Sequence, residues 1–565
     1  MNRKEKVYAF LRHQATVPLT EDEIAAMLCV PPRERFELTL ILETLSAEGR
    51  ISFRKGRFFA RQTVSDEVML LSIAESHGFP SEFPAEVLSA ADALPTFVTA
   101  EDGRRDLRSL LTFTIDGADA RDFDDAISIE ALPEGYRLYV HIADVSHYVK
   151  NNGIIDREAY SRGTSCYFPD RVFPMLPPSL SNGICSLNPG QDRYALTTIL
   201  TLSHTGEVLS FEITEAVIRS DFRLVYDSVT AMLETGRPDS GMEAVFPALQ
   251  LLDALSTQLS ARRHEKGSID FGVPEPEIVF DKQGQIADIA KRTEGRADRM
   301  IENCMVLCNQ VVAEYIFHLD APFVYRVHEA PDNEKLEKLY DALHTLSLSF
   351  PGKFSRQKVK EFLERLPEND TADIVRILLL RSMMKARYSH ENTGHFGLAL
   401  SYYCHFTSPI RRYPDLLCHR VVKAILHGKD TQKLAGKVRR SALASSQREE
   451  AATEAEREAV RYLMCRYMES FVGEEFEGVI TSVLDFGFFV VLPNLVEGLV
   501  HVKDLGDDYY IFNEKTLTLT GRHGGARFRL GDKVLVRLSR VDSTLSRIDF
   551  ECKEVPSGGK DNCSE

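Results

Sequence analysis

Residues 114–126 read TIDGADARDFDDA, and their flanks decide what kind of chain this is. Five aspartates, Asp116, Asp119, Asp122, Asp124 and Asp125, fall within ten residues. LLTFTI (110–115) precedes them and AISIE (126–130) follows, both with the apolar character of buried strands. Carboxylates crowded at the end of a buried strand repel one another unless a cation compensates them. An oxygen-only ligand set favours Mg²⁺ or Mn²⁺ over zinc. Acidic turns are commonly solvated loops, but with apolar sequence on both sides these five charges do not all face water. The glycine and terminal glutamate spacing of an EF-hand is absent.

Working outward, HFTSPIRRYPDL (405–416) sets Ser408 and the pair Arg411-Arg412 before an apolar helix, DLLCHRVVKAIL. Guanidinium forks bind phosphate bidentately, and a helix N-terminus adds a favourable dipole. Alone, the motif reads as a helix start with two surface arginines. Beside an acidic metal site it describes phosphoryl-ester chemistry, with a metal to activate water and arginines to hold phosphate. RGTSCYFPDRVFPMLPPSLSNGICSLNP (162–189) is rich in proline and turn residues and carries Tyr167 and Phe168, of which an aromatic could stack on a base.

The rest of the chain divides around these motifs into a multidomain α+β protein. Residues 1–60 predict three helices and a two-stranded wing, a winged helix: Thr20 and Glu23 form a capping box, and the third helix carries Leu38, Ile41, Leu42 and Leu45. Arg50 to Arg61 holds five basic residues and no acid, with Phe53, Phe58 and Phe59 among them. Such a wing suits nucleic acid or a docking protein equally, and its partner is left open. Residues 61–110 predict a helical connector, with helices over 66–77 and 85–93. Residues 111–470 form one large mixed α/β domain, with strands first and then helices over 297–317, 371–388 and 437–470. Residues 471–552 give about five short strands, fitting a small barrel of OB type. Residues 553–565 are expected to be a disordered tail.

The 565 residues carry 68 Lys+Arg against 84 Asp+Glu, a net charge of −16. That excludes a globally polycationic binder but not a basic groove. The ten cysteines include no CxxC pair, which suits a reducing cytosol. Cys404-His405 and Cys418-His419 lack a partner pair at zinc-ligand spacing. No apolar run reaches membrane-spanning length, and MNRKEKVYAFLRHQ is no signal peptide. The expectation is a cytoplasmic monomer with no membrane partner.

TIDGADARDFDDA, VHIADVSHYV, RGTSCYFPDRVFPMLP, LSNGICSL and HFTSPIRRYPDL, in this order over about residues 111–470, resemble the catalytic domain of the RNase II/RNase R (RNB) family of exoribonucleases. The C-terminal barrel resembles the S1 RNA-binding domain that follows it there. RVHEAPD (326–332) and RRDLR (104–108) look closer to the RNase R branch. The resemblance implies a hydrolytic, processive 3′→5′ exoribonuclease that degrades single-stranded RNA to nucleoside 5′-monophosphates with Mg²⁺. It implies Asp116 and Asp125 as primary metal ligands. Asp122 and Asp124 complete the site and orient the attacking water, and Asp119 is an extra acid. Arg411, with Arg412 beside it, matches the phosphate clamp, and Tyr167 the aromatic that stacks at the 3′-terminal nucleotide. In the barrel, Phe486, Phe488 and His501 fall at stacking positions, Lys503, Arg537 and Arg540 could meet phosphates, and Phe489 is expected in the core. The charged run QREEAATEAEREAVR (447–461) reads as a solvated helix face.

One departure lies upstream. Family members carry two cold-shock barrels before the catalytic domain, and about 50 residues between wing and TIDG strand leave no room for one. Two other readings therefore stand beside the exonuclease: a phosphodiesterase restricted to short oligoribonucleotides, and a non-catalytic winged-helix/S1 regulator.

Overall fold

A computed structural model describes residues 3–553 apart from 14–18, 29, 48–49, 55–56, 61–64, 99–102, 368–369, 507, 515 and 524. The wing turn at Lys55-Gly56 and the tail from 554 onward lie outside the described residues. The chain forms two compact units, Met1–Ile73 and Ala74–Glu565.

The first unit is helical with a small wing. Helices Arg3–His13, Glu21–Met27 and Arg35–Ala47 precede the antiparallel strands Ile51–Arg54 and Arg57–Ala60. The capping box is present: the Glu23 N–H donates to Thr20 Oγ1 at 3.2 Å and the Thr20 N–H to Glu23 Oε2 at 2.7 Å. Val7, Phe10, Leu38, Leu42 and Leu45 close the core with Ile51, and Phe58 packs against it. Residues 65–98 hold the helices Asp66–Ser76 and Ala85–Asp92 and no strand.

The second unit is built on a seven-stranded sheet. Its strands are β1 (Arg105–Asp106), β2 (Phe113–Asp116), β3 (Asp125–Leu132), β4 (Gly135–Ala143), β5 (Asp192–Ser203), β6 (Val208–Arg219) and β7 (Phe222–Val225). They lie in the order β7-β2-β3-β4-β5-β6-β1. The outer pairs β7·β2 and β6·β1 are parallel and the others antiparallel. Both faces are covered, so the strands are apolar on both sides. Ile127, Leu138 and Leu200 meet helices α1 (Phe246–Glu265) and α2 (Arg296–His318) on one face. Ala126, Tyr139 and Ala195 meet Leu180, Ile410 and Tyr413 on the other. Each such buried aliphatic side chain stabilises the fold by about 1.5–3 kcal/mol.

Helices α3 (Tyr413–Leu426) and α4 (Ala435–Met468) follow. The helix expected over 371–388 ends at Ser382. Arg387–Ser389 instead pairs with Tyr325–Val327, and the Tyr388 N–H donates to Ser446 Oγ at 2.9 Å, so tertiary pairing overrides local helical propensity. The charged run 447–461 is also not a simple solvated face. Ala452, Ala455 and Ala459 form a buried stripe along α4. Arg448 donates to the carbonyl of Gly78 at 2.7 Å, and Glu456 accepts from the Tyr167 N–H at 2.7 Å.

The C-terminal strands Glu475–Leu484, Gly487–Val491, Glu497–His501, Lys533–Asp542 and Arg547–Cys552 close into a barrel. A three-stranded sheet, Tyr510–Asn513, Thr518–Gly521 and Arg527–Arg529, is inserted between them. No helix among the described residues is long and apolar enough to cross a membrane, and none of the described cysteines forms a disulfide.

Candidate active site

The acidic loop bridges β2 and β3, and its shape is set by a neighbouring segment. Ser186 Oγ accepts from the Phe123 N–H at 3.0 Å and donates to the Arg121 carbonyl at 2.8 Å. The Leu187 N–H donates to the Phe123 carbonyl at 3.0 Å. LSNGICSL, picked out in the sequence only as a motif, is thus the brace of the loop. Arg223 closes the other side, donating to the carbonyl of Gly117 at 2.9 Å.

Asp116 ends β2 and Asp125 begins β3. Burial, followed by the charge of Asp125, holds the Asp116 carboxyl well above the usual carboxylate range. Burial raises Asp125 as well, against the lowering effect of Arg411 and Arg412. Asp124 is buried, and its Oδ1 accepts from the Ile410 N–H at 2.8 Å. Its Oδ2 lies 3.4 Å from Arg411 Nε, and burial again pushes this carboxyl up. Asp122 is half-buried and accepts from the Tyr167 hydroxyl at 3.0 Å. Asp119 is exposed.

Two distant motifs are stitched together to deliver Tyr167 and Arg411 to this loop. The Ser165 N–H donates to the Arg411 carbonyl at 2.9 Å, and the Tyr413 N–H to the Gly163 carbonyl at 2.9 Å. Tyr167 keeps 36% of its surface exposed, leaving a ring face for a ligand. Arg411 Nη2 donates to Ser408 Oγ at 3.0 Å. Arg412 differs from the expected phosphate fork: its Nε and Nη2 are taken by Asp415 at 3.0 and 2.7 Å. Asp415 is fully buried and also accepts from the Ser408 N–H at 2.8 Å. It therefore organises the whole turn. Its signal in sequence was a carboxylate three residues after Arg412, in the first turn of α3.

The carboxylates suit a hard cation. Asp116 Oδ2 and Asp124 Oδ2 are buried acceptors without a hydrogen-bond donor, a state that is costly for a carboxylate unless a cation offsets it. All the donors are oxygens. Among the described residues no group of three His, Cys, Asp or Glu side chains is already arranged to hold a metal ion.

In the barrel, one of the three positions expected to stack, Phe488, is replaced by its neighbour. Phe488 is wholly buried and stacks on Phe528 with ring centroids 4.7 Å apart. Phe489, expected in the core, is half-buried on the outer face. In register, Phe489 pairs with Leu499 and Gly487 with His501, so Phe489 and His501 share that outer face. Phe486 is exposed just before the strand. Arg537 is paired with Glu551 at 2.7 Å, and Lys503 is exposed.

Comparison with known proteins agrees with this architecture. A family model described as RNB domain matches residues 104–428, and one described as S1 RNA binding domain matches residues 469–553. Ribonuclease R of Aquifex aeolicus is 44% identical over 498 residues, 85% of this chain and 70% of that protein. Ribonuclease R 1 of Lactococcus lactis is 38% identical over 563 residues, 97% of this chain and 67% of that protein. Mycoplasma genitalium RNase R, solved in complex with ribose-methylated single-stranded RNA, superposes with a TM-score of 0.83 at 31% identity, covering 88% of this chain and 80% of that one. The chain belongs to the RNB family of ribonucleases. Within it, it stands with the ribonuclease R proteins and is a 3′→5′ exoribonuclease.

Proposed function

We infer that the chain takes single-stranded RNA by its 3′ end and hydrolyses it processively to nucleoside 5′-monophosphates, with Mg²⁺ as its cation. The observation that carries this reading is the placement of Asp124 between the Ile410 N–H and Arg411, with its second oxygen ion-paired to Arg411 but accepting no hydrogen bond. That arrangement joins the acidic loop to the phosphate-binding turn in one site. Asp116 and Asp125 would hold the ion directly, with Asp122 and Asp124 beside them; Mn²⁺ could replace it. When bound, the ion would supply Lewis-acid polarisation of the phosphoryl oxygen and a lowered pKa for the attacking water.

The protein's own groups do the rest. Arg411 is held by Ser408 and left partly exposed at 42%, so its remaining donors can clamp the scissile phosphate. Arg412, locked to Asp415, fixes the direction of its neighbour and adds positive potential. Tyr167 presents its ring to the terminal base, while its hydroxyl tethers Asp122. Contacts to the 2′-hydroxyl would distinguish RNA from DNA. On the barrel, Phe486 and His501, with Phe489, would hold upstream nucleotides. The protein would act as a cytoplasmic monomer.

A second reading has one observation in its favour. Residues 65–98, ahead of the catalytic sheet, hold two helices and no strand, so no barrel there helps to grip long RNA. That would suit an enzyme of short oligoribonucleotides. Products from a length series of dinucleotide to 20-mer RNAs, separated by chromatography, decide between the two. Processive release of monophosphates from 20-mers supports the first. Turnover confined to the shortest substrates supports the second, and no monophosphate from any length would sink both.

A further inference from the structure

A cavity lies away from the acidic loop. It encloses about 800 Å³ between the β5–β6 turn, the C-terminal end of α1 and the outer face of α2. That volume is in the range of pockets that hold small organic ligands. Register places it. Asp125 is four residues from Ile129, and Ile129, Leu138, Leu200 and Phe211 lie opposite one another on β3, β4, β5 and β6. Four residues along a strand and three strand spacings across the sheet set Phe211 roughly 20 Å from the carboxylates. None of the acidic-loop residues, Tyr167 or Arg411 lines this cavity.

Its lining has two kinds of wall. On one, Phe211 and Tyr315 meet edge to face with centroids 5.5 Å apart, and His318 stands near, while Phe211 is 40% exposed. On the other are Arg262, Arg263 and Lys266. Arg263 is engaged by Asn303 at 2.7 Å and Glu302 at 3.0 Å. Among the described residues neither Arg262 nor Lys266 has a carboxylate at ion-pairing distance. Glu314 is the one acid in the lining, against three cations. Gln310 adds an amide to the lining, whereas the Asn303 amide is already taken by Ser256, Ser260 and Arg263. Aromatic faces, uncompensated cations and the Gln310 amide together match a nucleobase with its phosphate.

We propose that this cavity is a second, non-catalytic nucleotide site, with the base against Phe211 and Tyr315 and the phosphate on Arg262 and Lys266. The ligand is either an upstream nucleotide of RNA or a free nucleoside monophosphate. The site goes beyond the catalytic reading and does not depend on it, because binding is measured with the metal chelated. The full chain in EDTA is titrated with adenosine 5′-monophosphate and, separately, with 20-residue oligoadenylate, as wild type, as the R262E/K266E double variant and as Tyr315→Ala. Affinity for at least one probe should fall about tenfold in both variants, while turnover of a diadenylate with Mg²⁺ stays within twofold of wild type. Loss for the monophosphate assigns a free nucleotide, and loss for the 20-mer alone assigns RNA. Unchanged affinity for both probes overturns the proposal. So does loss in the charge variant without loss in Tyr315→Ala, which would reflect general electrostatics only. Should a variant fail to fold, photo-crosslinking of wild type to 5-bromouridine RNA and 5-bromouridine monophosphate decides: adducts on Tyr315, Phe211 or His318 sustain the site, and their absence removes it.

Discussion

The carboxylate of Asp124 accepts a 2.8 Å hydrogen bond from the backbone N–H of Ile410, tying the acidic loop to the turn that carries Ser408 and Arg411. Beside this structural duty, the proposed function gives Asp124 a chemical one. Asparagine at this position keeps an oxygen for the Ile410 N–H but loses the charge. Asp124→Asn should therefore melt with wild type while its single-turnover rate on a 5′-labelled oligoribonucleotide falls at least about 100-fold. Wild-type rate in a folded Asp124→Asn protein would remove Asp124 from the chemistry.

Asp415 is the hinge pin of the same turn. Removing its carboxylate strands the Arg412 guanidinium and the Ser408 N–H in a buried place. Asp415→Ala should lose about 3–5 kcal/mol of unfolding free energy in urea titration. Asp415→Asn, which retains an acceptor for Ser408, should lose less. Equal stability of the two variants would mean that the lost charge facing Arg412, and not the bond to the Ser408 N–H, carries the whole effect.

Tyr167 separates stacking from tethering. Tyr167→Ala should raise KM for oligoribonucleotide by about 5- to 150-fold, corresponding to loss of about 1–3 kcal/mol per stacked base. Tyr167→Phe keeps the ring and should hold KM within twofold. A phenylalanine variant as weak as the alanine one would transfer the effect to the bond with Asp122.

Several histidines make the fold sensitive to acid. Burial pushes His141 and His395 down to about 3 and His419 down to about 4. In the unfolded chain these groups bind protons near pH 6.5. Between those limits the unfolded state binds more protons, so their contribution to stability is full above pH 6.5 and falls as the pH drops. Each histidine should cost about 1.4 kcal/mol per pH unit over that window. The raised carboxyls of Asp116 and Asp125 act in the opposite sense over the same range, so the histidine part is read as a difference: urea midpoints from pH 7.5 to 5 should fall less steeply in His419→Gln than in wild type. Identical slopes would show that His419 takes up its proton as readily in the native state as in the unfolded chain.

The sequence disclosed the catalytic domain and the barrel after it because the hydrophobic period changes between them. It disclosed the acidic loop because its five carboxylates are local, within ten residues of one another. The meeting of Tyr167 with Arg411 rests on backbone bonds from Ser165 and Tyr413 that no local pattern encodes. The brace from Ser186 was hidden for the same reason, whereas Asp415 stood in local reach, three residues after Arg412. The alanine stripe of α4 was readable at 452, 455 and 459, but the density of charge around it favoured the solvated reading.

The barrel shows how one residue of register changes a role. In FGFFVVL (486–492) the apolar residues run without alternation, so nothing local says which phenylalanine faces inward. The barrel answers by burying Phe488 against Phe528. Phe488→Ala should then destabilise the protein by about 3–5 kcal/mol. Its effect on RNA affinity should follow only from unfolding, and should vanish at temperatures where the barrel is intact. Phe489→Ala and Phe486→Ala should leave the melting temperature nearly unchanged and weaken binding of a 20-mer RNA, with little effect on a dinucleotide that does not reach the barrel. Thermal melts and fluorescence anisotropy on the three variants check both halves. An outward phenylalanine whose loss costs stability but not affinity would return the stacking role to the position first read from the sequence.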